Sequence, residues 1–184
     1  MKLHICCGDV YLKNYINVDI QGRIRQPNDV VNETTFDKYY TKPFNFTPKD
    51  VRGSFTIDQK VDILKSWPWN DVSEIIMIQA IEHFNLFEGE FIISEIYRVL
   101  KSGGKFIFDF PDLLETFNSY KDDFDKLVRF IYCHNKDKYA LHKTAYSEST
   151  FRRLLISNNR KWSSIEFKNV ILHDYPVIGG IAIK

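Results

Sequence analysis

Leu3 and Ile5 open an alternating apolar run that breaks at Gly8, and residues 15–20 form a second run punctuated by Asp19. The pattern predicts strands over residues 2–6 and 15–20. A strand ending in glycine, then one ending in an acid, is how α/β proteins hold a nucleoside. The glycine lets the backbone approach the ligand, and the carboxylate accepts from ribose hydroxyls. Only residues 9–14 separate Gly8 from the second run. A parallel crossover normally takes about 10–12 residues including its helix. The first connection is therefore expected to be a turn in place of a helix.

Over residues 21–55 the periodicity fades. Pro27, Pro43, Pro48 and Gly53 punctuate a stretch that also holds Phe36, Tyr39, Tyr40, Phe44 and Phe46. A helical turn is expected at 35–40, the rest forming a loop-rich insertion whose aromatics pack down, as a lid over a site would. Residues 60–64 make a short strand. Residues 74–79 are a nearly continuous apolar run, the mark of a strand covered on both faces. From 88 to 101, Phe91, Ile92, Ile96, Val99 and Leu100 recur with helical period, and Ser102-Gly103-Gly104 is expected to stop that helix. A strand follows at 105–110, ended by Pro111. One or two helices are expected over 113–133. Ser147 N-caps a helix running to Leu155, and strands at 162–172 and 176–183 close the chain around a turn at His173, Asp174 and Tyr175.

Strands alternating with helices, then a hairpin, predict an α/β chain: a Rossmann-like doubly wound sheet, mostly parallel, with an antiparallel C-terminal strand. The 184 residues suit one domain, 1–184, with an insertion at about 21–55. Net charge is +1, which gives no general electrostatic reason to bind nucleic acid or an anionic membrane. No apolar run approaches the ~20 residues of a membrane helix. Three cysteines, two of them adjacent, make no disulfide framework, so a cytoplasmic location is expected.

The chemistry is narrowed by what is missing. There is no G-x-G-x-x-G, and Asp19 follows Gly8 far too closely for a dinucleotide fingerprint, which argues against a nicotinamide oxidoreductase. There is no G-x-x-x-x-G-K-[ST] either. A ligand with a ribose and no pyrophosphate survives. Cys6-Cys7-Gly8, Asn17-Val18-Asp19, the run from Leu64 through Trp67-Pro68-Trp69, Ala80-Ile81-Glu82-His83-Phe84, and Arg98 to Gly104 with Phe110-Pro111-Asp112 follow in order. Together they resemble the class I S-adenosylmethionine-dependent methyltransferases, in the small branch reading "LNLGCG…GYINVD", "HVLEHL" and "RVLKPGG…VPD". The resemblance runs from Leu3 to about Leu155, apart from 21–55.

The resemblance implies the class I methyltransferase fold and S-adenosyl-L-methionine as cofactor. It sets the backbone of Cys6, Cys7 and Gly8 against the methionine part, Asp19 on the ribose, Asp62 and Ile63 beside the adenine, and Gln79 near the amino acid moiety. His83 would lie near the cofactor and the substrate entrance, as a general base or as a structural residue at a strand–helix junction. Tyr146, His142, Asp109 and Asp112 are weaker candidates. The acceptor would be a small molecule, sugar-like compound or peptide. Cys6 replaces the branch's glycine, where ordinary β backbone would accommodate it without strain. That loss leaves a second reading open: a non-catalytic module with a degenerate first motif. No metal site is expected of His4, Cys6, Cys7, Cys133 and His134, since adjacent cysteines on a strand face opposite ways. Arg152-Arg153 with Arg160-Lys161 reads as a solvated basic face, or as a nucleic-acid contact. Trp67 and Trp69 could stack on a ring or pack the core.

Overall fold

The computed structural model describes residues 1–40, 52–133, 139–172 and 175–184. Its strands are β1 (Lys2–Ile5), β2 (Tyr11–Leu12), β3 (Ile16–Asp19), β4 (Arg23–Ile24), β5 (Glu33–Thr34), β6 (Thr56–Ile57), β7 (Gln59–Lys60), β8 (Val72–Ile78), β9 (Leu100–Pro111), β10 (Ser164–Leu172) and β11 (Tyr175–Ile183). Its α-helices are α1 (Phe36–Tyr40), α2 (Leu86–Val99), α3 (Leu113–Tyr120), α4 (Phe124–Tyr132) and α5 (Glu148–Ile156). The part of the expected lid at 41–51 and the turn residues His173 and Asp174 lie outside the described residues.

Seven strands form one sheet in the order β10-β11-β9-β8-β1-β3-β7. β1 is parallel to β3 and β8, β3 to β7, and β8 to β9. β11 is antiparallel to both β9 and β10, giving the mostly parallel sheet with one reversed C-terminal strand that the pattern predicts. The chain winds from β1 out to β3 and β7, then crosses to β8 and β9 on the other side. Strand order therefore reverses at β1, and the crevice beyond the carboxyl ends of strands at such a reversal is where open α/β sheets bind ligands.

The middle strands carry nearly continuous apolar stretches where both faces are covered. Ile75, Ile76 and Met77 of β8 and Phe106, Phe108 and Phe110 of β9 are buried. Phe151 of α5 packs on the sheet with its ring 4.8 Å from Phe108 and 4.6 Å from Phe110. Helix α2 begins two residues before its apolar period, because Asn85 caps it. The Asn85 side chain accepts from the Phe87 and Glu88 amides, and Glu88 accepts from the Asn85 amide. The helix ends at Val99, and Leu100 is already extended. Ser102-Gly103-Gly104 is thus not the helix stop expected but part of β9, where a register shift against β8 and a positive φ of 73° at Gly103 mark a bulge.

The first connection is helix-free, as its length requires, and Asn17 shapes it. Its buried side chain accepts from the Leu12 amide at 2.8 Å and donates to the Leu12 carbonyl at 3.0 Å, imitating a strand partner. His4 Nδ1 donates to the same Asn17 oxygen at 3.0 Å. Burial holds the His4 imidazole down at about 4, against 6.5 for a solvated histidine. The unfolded chain therefore takes up a proton that the folded one resists, and stability falls as pH drops from 6.5 toward 4, by about 3 kcal/mol at about 1.4 kcal/mol per unit. Chemical denaturation between pH 7 and 4 should show this loss, and His4→Gln should make the profile shallower. An equally steep profile in His4→Gln would refute the assignment.

Candidate functional site: a crevice at the end of β1 and an acid–imidazole cluster

The backbone turns as soon as β1 ends. Cys6 has φ +53° and Gly8 φ +55°, so Cys6 is not in the extended conformation its neighbours suggest. It occupies the left-handed region, which costs a residue with a Cβ roughly 1–2 kcal/mol. That backbone favours glycine, the residue the resembling branch carries here. Cys6→Gly removes the strain but adds unfolded-chain entropy of roughly 0.5–1 kcal/mol. Thermal melting should leave it within about 1 kcal/mol of wild type, while β-branched Cys6→Val loses about 1–3 kcal/mol. A Cys6→Val variant as stable as wild type would exclude that backbone.

At Gly8 a Cβ would meet no atom within 4 Å, so the space over the loop is open. The Gly8 amide donates to Asp19 Oδ2 at 3.1 Å and the Gln21 amide to Oδ1 at 2.9 Å. One carboxylate thus ties the end of β1 to the end of β3. Burial raises the Asp19 carboxyl above the ordinary range, opposed by the amides of Gln21, Gly8 and Ile20. An ionised carboxylate has about four acceptor sites, which leaves capacity for a vicinal diol. Cys7 is buried, its amide donating to the Val18 carbonyl at 3.2 Å.

The strand expected at 60–64 is β7, which already ends at Lys60, because the Asp62 side chain accepts from the Leu64 amide at 3.1 Å and closes a turn. Asp62 is half-buried, with Lys65 Nζ at 3.8 Å. Ile63 packs in the core, and its carbonyl accepts from the Trp67 indole at 2.9 Å. Trp67 and Trp69 are core residues in edge contact at 5.7 Å, which settles their packing role. Gln79 follows β8 with φ +49°, and its amide and side-chain nitrogens each donate to Asp109 Oδ1 at 2.8 Å.

His83 does not stand alone. Glu82 and His83 lie in a 3-10 turn after β8, and His142 comes from the segment beyond α4. The Lys143 and Thr144 amides donate to the Glu82 carbonyl at 2.8 and 3.1 Å, and Thr144 Oγ1 donates to the Phe84 carbonyl at 2.7 Å, fastening that segment to the turn. The two imidazole rings meet edge to face at 4.9 Å. Glu82 is 2 % exposed and burial drives its carboxyl well up. Burial, then His83, holds His142 down at about 4. The Cys6 thiol is raised first by burial and further by Asp19, Cys7 and Glu82. Tyr146 is buried, and Asp112 N-caps α3 through the Glu115 amide.

Arg160 departs from the basic face expected of it. It is buried, and its guanidinium donates to both carboxylate oxygens of Glu90 at 2.6 and 3.0 Å, clamping α5 to α2. Arg152 pairs with Glu148 and lies over the Phe167 ring.

No protein-family model matches the chain, and no curated protein sequence matches it. Solved structures do. A S-adenosylmethionine-dependent methyltransferase from Methanosarcina mazei is 15% identical with a TM-score of 0.58, the match covering 100% of this chain and 91% of that one. Another from Archaeoglobus fulgidus is 14% identical with a TM-score of 0.56, covering 100% and 85%. The chain spans only 36% of a putative O-methyltransferase from Nostoc punctiforme, which covers 70% of it at 16% identity and a TM-score of 0.47. The chain has the fold of the class I S-adenosylmethionine-dependent methyltransferases. Among the described residues, no helix is long and apolar enough to cross a membrane.

Proposed function

We propose that the chain is a S-adenosylmethionine-dependent methyltransferase acting on a small-molecule, sugar-like or peptide acceptor. The observation that carries the reading is Asp19, whose carboxylate joins the Gly8 and Gln21 amides at the strand-order reversal. In this reading Asp19 accepts from the ribose diol, the open backbone of Cys6 to Gly8 lies along the methionine part, Asp62 flanks the adenine with Ile63 beneath, and Gln79 faces the amino acid moiety. Three free cysteines suit the cytoplasm proposed as its location.

The reaction breaks the sulfonium carbon–sulfur bond as the acceptor's lone pair forms the new bond to the methyl carbon. Holding the two in line supplies most of the effect. A base is needed only where the acceptor must lose a proton. In this reading His83 is the candidate base.

Incubation with methyl-labelled cofactor and a panel of hydroxyl, amine and carboxyl acceptors should transfer label to one acceptor class and release S-adenosylhomocysteine. Cofactor binding without transfer to any class would favour the non-catalytic module.

A further inference from the structure

The Glu82–His83–His142 cluster poses a problem that the methyltransferase reading does not solve. A carbonyl oxygen only accepts hydrogen bonds. His83 Nδ1, 3.3 Å from the Leu141 carbonyl, and His142 Nδ1, 3.1 Å from the Ile131 carbonyl, must therefore carry the hydrogens. In each neutral ring the lone pair is then left on Nε2. Both Nε2 atoms lie 3.9 Å from Glu82 Oε1. Three electron-pair donors face one another at a separation too long for a hydrogen bond and wide enough for an atom between them. Both Glu82 oxygens are buried and make no hydrogen bond. Among the described residues, the basic side chains within 4 Å of that carboxylate are the two imidazoles.

We propose that Glu82, His83 and His142 bind a divalent transition-metal ion through Oε1 and the two Nε2 atoms. Their ligand atoms all lie within 4.8 Å of one another. Ligand atoms around a tetrahedral ion stand about 3.4 Å apart, given bonds of about 2.0–2.1 Å, so the 3.9 Å pairs close by about half an ångström on binding. Each imidazole is oriented by a backbone carbonyl on its far nitrogen, as metal-bound histidines are. Two histidines and a carboxylate suit zinc or ferrous iron, with at least one position left open. A cavity of about 20 Å³, lined by Glu82, His142, Thr116 and Tyr146 among others, adjoins the cluster. It has room for about one water beside Glu82 and His142. Under the methyltransferase reading, on which this last role rests, the open position would hold the acceptor's oxygen or nitrogen beside the methyl donor, and the ion's charge would ease the acceptor's proton loss in place of the His83 base. Binding of the ion itself needs no cofactor.

The probes are Co²⁺ and Zn²⁺, titrated into full-length protein stripped by a chelator. Co²⁺ should bind one to one with visible ligand-field absorption, and Zn²⁺ should displace it. Glu82→Gln and His142→Asn should each weaken binding at least about 100-fold, with stripped variants melting near the stripped wild type. Lack of a saturable Co²⁺ spectrum in wild type, or wild-type affinity in either variant, overturns the proposal. The wild-type spectrum decides even if a variant does not fold. S-adenosylhomocysteine binding to the same stripped preparation is read separately, so failure of the metal site and failure of the cofactor reading remain distinct.

Discussion

Asp19→Asn weakens S-adenosylhomocysteine binding roughly 10–100-fold, because hydrogen bonds to an ionised acceptor are worth about 1.5–3 kcal/mol and each 1.4 kcal/mol is tenfold. The substitution keeps the side chain's shape but turns one oxygen into a donor. That donor then faces the Gly8 or the Gln21 amide, both of which donate to Asp19. A loss of about 1 kcal/mol in stability accompanies the loss of affinity. Since burial raises the Asp19 carboxyl, wild-type affinity should also decline as pH falls through that raised value and the carboxylate takes up its proton. Calorimetry on both proteins across pH reads both effects. Asp19→Asn binding as tightly as wild type would remove the carboxylate from the site.

Arg160→Ala destabilises the fold by up to roughly 3–5 kcal/mol, the cost of removing one partner from a buried ion pair, since Arg160 is buried and Glu90 keeps 30% of its side chain exposed. At about 2–4 °C per kcal/mol for a chain of this size, melting falls by up to roughly 6–20 °C. The guanidinium also donates to Ser94 Oγ at 2.8 Å and to the Leu154 and Leu155 carbonyls at 2.6 and 3.0 Å. Truncation therefore leaves the end of α5 and the Glu90 carboxylate without their shared donor. Arg160→Lys recovers only part of this, since a point charge cannot reproduce the fork. Melting within about 2 °C of wild type in Arg160→Ala would contradict the clamp.

The strands of the sheet were legible because alternation and continuous apolar runs are local consequences of one-sided and two-sided burial. The helix-free first connection was legible from its length. The acid at the end of the second strand was legible because its place follows from where a parallel strand ends. Other features lie in contacts that no local pattern carries. Cys6 gives no sign of its positive φ, which comes from the chain turning over β1 toward Gly8 and Asp19. Arg160 looks like one of four basic residues until Glu90, distant in sequence, is seen to meet it. His142 joins Glu82 and His83 only because the segment beyond α4 hydrogen-bonds to their turn. The start of α2 is different in kind: Asn85 and Glu88 spell a capping box, a signal present in the sequence and overlooked beside the stronger apolar period.

The nucleoside crevice between Gly8 and Asp19 is tested most directly by titration of wild-type protein with S-adenosylhomocysteine. It predicts saturable one-to-one binding, lost in Asp19→Ala, and about 2.7 kcal/mol of stabilisation at a hundredfold excess over Kd. Absence of both binding heat and thermal shift at millimolar ligand would contradict it.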